Sequence, residues 1–170
     1  GRYPSRVAHY FAAENENAIH ASIEELRRQP DALTALSFSH FLPGHFALPD
    51  WMEPEADVFS RSWINHRAAS IASKFSRVAG STTIEQQLRR ITPHATNHIH
   101  CFGHSHRPKD IRRNGVRYVH HPLGKPAERE RFMAPPECIP KKILDIEGKP
   151  VPAPTVVRYW EQVLKGEVLI

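Results

Sequence analysis

A short strand-like segment that stops at a glycine constrains the fold of this chain more than any other feature. Residues 98–102 alternate histidine with apolar residues, and Gly103 separates them from His104 and His106. Side chains at i and i+2 of an extended backbone point the same way, so these two imidazoles can reach one small volume beside the strand end. Because imidazole is a common metal ligand, the sequence predicts a metal site there.

A second apolar segment, 33–39, ends in the same way. It leads directly to His40 and is closed by Pro43. A nearly continuous apolar run of this length is typical of a strand buried on both faces of a sheet, although periodicity alone leaves a buried helical turn open. Two such strands can bring their histidines to one sheet edge. We expect His98 and His100 to face the other side of their strand or its solvent edge, without binding metal.

Helices and one hairpin are predicted around these strands. Apolar spacing predicts a helix over 14–29. A second helix is predicted from Thr82, as the N-cap, to just before Pro93, with Glu85 completing a capping box. The dipeptide Asn114-Gly115 predicts a two-residue turn between strands at 110–113 and 116–120.

Two parts of the chain have weaker patterns. Residues 44–75 are predicted to form an irregular excursion or insertion. Residues 134–170 are predicted to form a proline-rich extension, with a short strand at 143–146 and a terminal helix near 157–164. No internal repeat accompanies either part.

Length and composition limit the number of domains, the cellular compartment and the kind of partner to be expected. A length of 170 residues suits one domain. The two cysteines favour an intracellular, reducing compartment, with the cytoplasm as the first expectation and an organelle as the alternative. A net charge of +5 suits an anionic partner. Nucleic acid stays open as that partner but is not indicated, because Lys and Arg are spread along the chain. No apolar run is long enough to span a membrane.

Three segments in this order resemble the C-terminal half of a calcineurin-like metallophosphoesterase. They are Ser39-His40-Phe41-Leu42-Pro43, Gly103-His104-Ser105-His106, and a stretch from Gly115 to Glu130. The resemblance spans about residues 8–150 and implies an α/β fold, a mixed β-sandwich flanked by helices, of which 1–133 would be the C-terminal part. It also implies phosphoester hydrolysis by two divalent metal ions, Mn, Fe or Zn. His40 and His104 would bind one ion and His106 the other.

The remaining ligand blocks of that family, Asp-x-His, Gly-Asp and Gly-Asn-His, have no counterpart in the chain. We therefore expect an N-terminal half, upstream of Gly1 or on a partner chain, to complete the site around a phosphorylated substrate. Two alternatives stay open: a catalytically degenerate structural subunit of a larger assembly, such as a ribonucleoprotein, and a mononuclear metal protein. Arg107, Arg117 and Tyr118 are the predicted substrate contacts, since guanidinium groups match phosphate oxygens.

Overall fold

The computed structural model describes residues 3–29, 34–47, 80–105, 109–130, 140–145 and 147–151. Helices flank one four-stranded mixed sheet, which confirms the predicted α/β class. The helices are α1 (Tyr3–Arg28), α2 (Thr82–Ile91) and α3 (Pro126–Glu130), and the strands are β1 (Thr34–Ser39), β2 (Asn97–Phe102), β3 (Lys109–Arg113) and β4 (Val116–His120). Short 3-10 helices cover His45–Ala47 and Thr92–His94. The described residues form this single sheet, without the second layer of a sandwich.

The order of the strands brings three chain segments to one sheet edge. The strands lie in the order β1-β2-β4-β3. β1 and β4 both run parallel to β2, whereas β3 is antiparallel to β4. The carboxyl ends of β1, β2 and β4 therefore meet at the same edge. The segments that begin at His40, Gly103 and His121 all leave the sheet there.

The hairpin between β3 and β4 forms as predicted. Asn114 has a φ of 49° and Gly115 a φ of 78°, the two positive angles of a type I′ turn. This turn matches the twist of the two strands and sets the register that pairs Ile111 with Tyr118. The hairpin thereby fixes the carboxyl end of β4.

Helix α1 begins well before its predicted start at residue 14. It runs from Tyr3 to Arg28. Among the α1 side chains that the structure describes, from Val7 onward, the buried apolar ones are Ile19 and Ile23 in the C-terminal half, which pack with Ile91 of α2. Val7 and Phe11, nearer the start, are exposed. Apolar residues recur at helical spacing where one face of a helix is buried, so the sequence of this exposed half did not predict a helix.

Helix α2 has a different cap from the one predicted. The Oγ of Ser81, rather than the Thr82 side chain, accepts a hydrogen bond from the Thr83 backbone N–H at 3.2 Å. Leu88 and Ile91, three residues apart on one side of the helix, are buried. Adjacent serine and threonine residues are both good caps, so the sequence left the choice between them undetermined.

The C-terminal extension is described only in part. In place of the strand predicted at 143–146, the structure has an isolated antiparallel bridge between Leu144 and Pro150. The helix predicted near 157–164 lies outside the described residues, as does the 48–75 part of the predicted excursion. None of the described helices has the length and apolar character needed to cross a bilayer.

Candidate metal centre

The ends of β1 and β2 bring two predicted ligands, His40 and His104, into contact. Nε2 of His40 lies 3.1 Å from Nδ1 of His104. The ring centroids are 5.0 Å apart and the planes are nearly perpendicular, at 79°. Two imidazole nitrogens at about 2.1 Å from one ion lie roughly 3.0 Å apart in octahedral and roughly 3.4 Å apart in tetrahedral coordination. In this structure the contact is a ring-to-ring N–H···N hydrogen bond, and its length is close to the spacing of two ligands of a single ion.

The backbone beneath this pair is held close by a glycine. The Gly103 N–H donates to the His40 carbonyl at 3.2 Å. A Cβ on Gly103 would lie 3.3 Å from that carbonyl oxygen, which is tighter than a side chain usually allows. His104 has a φ of 72°, in the left-handed region that residues with side chains seldom adopt. The turn therefore directs the His104 ring toward His40 at the cost of backbone strain.

A third histidine, His120, reaches the same sheet edge at the end of β4. It is buried, and its Nδ1 lies 2.9 Å from Ser105 Oγ. Its ring also contacts Phe102, with centroids 5.2 Å apart. Ser105 therefore connects the turn that carries His104 to β4.

The other predicted ligand, His106, and the predicted substrate contact Arg107 lie outside the described residues. Among the described residues, no group of three or more His, Cys, Asp or Glu side chains is arranged to hold a metal ion. The described part of the chain thus offers the pair His40 and His104. Ligation by His106 stays a prediction.

Arg117, a predicted substrate contact, lies inside the protein instead. It is 1% exposed. Its Nε and Nη2 donate to the two carboxylate oxygens of Asp110 at 2.9 and 2.8 Å, and Lys141 Nζ lies 2.6 Å from the same carboxylate. Burial alone would raise the pKa of Asp110, but the hydrogen bonds from Arg117 and Lys141 hold it below its usual value. The structure therefore corrects the prediction: Arg117 links β3 to β4 in a buried ion pair.

Tyr118, the last predicted substrate contact, is also buried. It is 0% exposed and belongs to the main apolar core with Leu88 and Phe102. Its hydroxyl has no hydrogen-bond partner among the described residues. Burial raises the pKa of this hydroxyl. In this structure Tyr118 is a core residue, and its hydroxyl is closed off from solvent.

We expect Tyr118→Phe to stabilise the fold. The substitution removes a buried hydroxyl whose desolvation is uncompensated and keeps the ring, so the free energy of unfolding should rise by about 1 kcal/mol. Urea denaturation of the variant and the wild type measures the difference. A loss of stability would show that the hydroxyl has a hydrogen-bond partner, and a loss of ligand binding in a stable variant would restore the predicted substrate contact.

His98 and His100 occupy a position that the sequence did not predict. They are 2% and 1% exposed, which corrects the expectation of a solvent edge, whereas strand alternation does place them on the other side of β2 from Ile99 and Cys101. His98 Nδ1 lies 2.9 Å from Thr92 Oγ1, and its Nε2 lies 2.8 Å from Ser37 Oγ. Thr92 Oγ1 lies in turn 3.0 Å from the Leu88 carbonyl oxygen.

The same series of contacts continues toward the metal centre. Ser37 Oγ lies 2.9 Å from His100 Nδ1, and His100 Nε2 lies 2.9 Å from Ser39 Oγ. The Ser39 hydroxyl lies 2.6 Å from the Phe41 carbonyl oxygen and donates to it. We call this series the serine–histidine chain, which consists of Thr92, His98, Ser37, His100 and Ser39.

Both imidazoles of the serine–histidine chain are neutral at pH 7. Burial lowers the pKa of His98 to about 4. Burial and the neighbouring His98 ring lower that of His100 to about 3. The sequence does contain a pattern that indicates the serine–histidine chain. Two serines, at 37 and 39, and two histidines, at 98 and 100, are each separated by one residue. Each spacing places its two side chains on one sheet face.

A cavity with a volume of about 1000 Å³ lies between α1, α2 and β1. Its walls include Phe11, Leu36 and Leu88, and it reaches His40 and His104. A small molecule can therefore approach the imidazole pair from this side. An apolar space with a few convergent polar groups is the usual form of a ligand site.

No family model, curated protein or solved structure matches this chain. Its relation to the calcineurin-like metallophosphoesterases consequently stays a prediction from the three ordered segments. The pairing of His40 with His104 is an independent, geometric observation.

Proposed function

We propose that this chain is the C-terminal half of a calcineurin-like metallophosphoesterase and supplies imidazole ligands to a divalent-metal centre that hydrolyses phosphoesters. The proposal is carried by the 3.1 Å approach of His40 Nε2 to His104 Nδ1. Both residues follow parallel strands, at the edge where sheet-based ligand sites commonly lie.

The two residues would hold the ion as neutral donors. Neutral imidazole suits Zn, Fe and Mn sites that also contain oxygen ligands. A bound ion would polarise the phosphoryl oxygen and lower the pKa of a coordinated water. The chain's own contribution is to fix the two rings, through the Gly103 contact with the His40 carbonyl and the strained His104 backbone.

A second ion needs ligands beyond this pair. Two cations held about 3.5–4 Å apart require negative charge between them. The described residues near the pair offer imidazoles, and His106 was predicted as a ligand of the second ion. We propose that an N-terminal half or a partner chain supplies the carboxylates. The phosphorylated substrate would enter through the cavity beside His40.

His104→Ala should abolish high-affinity metal binding. Loss of one of two paired ligands is expected to weaken binding by about 100-fold or more, beyond the 10–100-fold typical of an outer contact. Competition with a chromogenic chelator measures the affinity for Zn²⁺ and Mn²⁺. Hydrolysis of an aryl phosphodiester by the intact assembly that contains the chain measures activity, which the variant should lose.

His20→Ala is the matched control, because it removes one imidazole from an exposed position on α1. It should keep the metal affinity and the activity of the wild type. Absence of both metal and turnover in the intact wild-type assembly would contradict the enzyme proposal. That result would favour the degenerate structural subunit. Metal binding by one ion per chain without turnover would favour the mononuclear alternative.

A further inference from the structure

The serine–histidine chain restricts where its protons can lie. Its contacts number six, from the Leu88 carbonyl at one end to the Phe41 carbonyl at the other. Three hydroxyl groups and two neutral imidazoles contribute one proton each, so five protons serve six contacts. One contact must therefore lack a proton.

Ser37 couples the two rings. Its Oγ lies within hydrogen-bond distance of both His98 Nε2 and His100 Nδ1. A hydroxyl has one proton and two lone pairs, and the Ser37 proton and all four ring nitrogens are satisfied together only if Ser37 donates to one ring and accepts from the other. If His98 donates from Nε2, His100 must accept at Nδ1 and carry its own proton on Nε2. The reverse arrangement places both protons on Nδ1, and the two rings consequently share one tautomer.

The contacts at the two ends of the serine–histidine chain select between these tautomers. Ser39 Oγ lies 2.6 Å from the Phe41 carbonyl oxygen, a separation at which two oxygens without an intervening proton repel each other. The Thr92 contact with the Leu88 carbonyl is longer, at 3.0 Å. That carbonyl also accepts the Thr92 backbone N–H. The Thr92 hydroxyl lies within hydrogen-bond distance of two acceptors, the Leu88 carbonyl and His98 Nδ1, and its single proton can serve only one of them. Because the carbonyl already accepts a backbone N–H, the arrangement that leaves no acceptor unsatisfied has Thr92 donate to His98.

With this tautomer, the hydrogen bonds of the serine–histidine chain all run in one direction. Thr92 donates to His98 Nδ1, and His98 Nε2–H donates to Ser37. The series continues as Ser37 donates to His100 Nδ1 and His100 Nε2–H donates to Ser39. Every hydroxyl therefore points toward the strand end that carries the candidate metal centre.

The last hydrogen bond acts on the backbone of the metal centre. Ser39 donates to the carbonyl of Phe41, and the Gly103 N–H donates to the carbonyl of His40. Two consecutive carbonyls are thus held, one by the residue that follows β2 and one by the serine–histidine chain. We infer that His98 and His100 share the Nε2–H tautomer and, through Ser39, act as positioning residues for His40. The second part rests on the function proposed above for His40.

Ser37→Ala tests this inference without touching the candidate ligands. Long-range ¹H–¹⁵N spectra of the metal-free wild type should show both rings neutral at pH 7, each with its proton on Nε2. The variant should show a mixture of tautomers at His100 and a changed ¹³C shift of the Phe41 carbonyl. Its Zn²⁺ affinity should fall by about tenfold, as on loss of an outer contact of a metal ligand.

Two further variants separate positioning from general damage. Ser37→Thr restores the hydroxyl and should recover the single tautomer and the affinity. Ser22→Ala removes a serine hydroxyl that donates to the Ala18 carbonyl within α1 and should change neither. Opposite tautomers in the wild type, or an unchanged Phe41 carbonyl shift in Ser37→Ala, would overturn the inference. Absence of both metal and turnover in the intact wild-type assembly would overturn the proposed function, whereas the tautomer and carbonyl measurements would still decide the inference.

Discussion

Asp110→Ala is expected to lower the free energy of unfolding by about 3–5 kcal/mol, because removal of one partner of a buried ion pair leaves the other charge uncompensated. Asp110 and Arg117 are each 2% exposed at the side chain, and Lys141 lies against the same carboxylate. The variant would leave two cations without their anion. A typical domain has only about 5–15 kcal/mol of stability in total. Urea denaturation at pH 7 measures the loss.

Glu16→Ala is the control for this substitution. It removes the carboxylate of the ion pair with Arg90, whose side chains are 46% and 47% exposed. An exposed pair contributes about 0–1 kcal/mol, so the control should change stability little. The double variant Asp110→Leu with Arg117→Met removes the Asp110 and Arg117 charges, leaves only the Lys141 charge without its anion, and should recover part of the loss. Equal effects of Asp110→Ala and Glu16→Ala would contradict a buried pair.

The sequence predicted those parts of the fold that depend on local pattern. The Asn114-Gly115 turn was predictable because its positive φ angles favour few other residue pairs. The existence of strands β1 and β2 was predictable because they are short apolar runs, each followed by a break. The expected burial of β1 on both faces is wrong, since β1 is an edge strand on which Phe38 is 70% exposed. The parallel pairing of β1 and β2 then brings His40 and His104 together, as the position of both residues at strand ends suggested.

The positions that were predicted incorrectly depend on tertiary contacts. The guanidinium group of Arg117 is of the kind that binds phosphate, but in the fold it pairs with Asp110 on the opposite strand of the hairpin. The burial of His98 and His100 is compensated by Ser37, which lies on a strand distant in sequence. Buried polar residues resemble exposed ones in a sequence, since only the folded chain shows whether a partner is present.

Acidification from pH 7 to pH 5 is expected to destabilise the fold by about 4 kcal/mol through His98 and His100. Burial holds their pKa values at about 4 and about 3, below the 6.5 of an unperturbed histidine. The unfolded chain therefore binds protons in this pH range that the native state does not. Above pH 6.5 the neutral rings do not lower the free energy of unfolding. As the pH falls below 6.5 toward the pKa values of the folded state, protonation of the unfolded chain lowers that free energy, by about 2 kcal/mol per ring at pH 5.

The free energy of unfolding from urea curves between pH 7 and pH 5 measures this effect. Near pH 5 its slope should correspond to about two protons, or roughly 1.4 kcal/mol per pH unit for each ring. His98→Gln should remove about half of the slope, whereas His20→Gln, at an exposed position on α1, should leave it unchanged. The hydrogen bonds that hold Asp110 below its usual pKa keep it ionised throughout this range. A free energy independent of pH from 7 to 5 would therefore show that the two imidazoles are not buried as neutral rings.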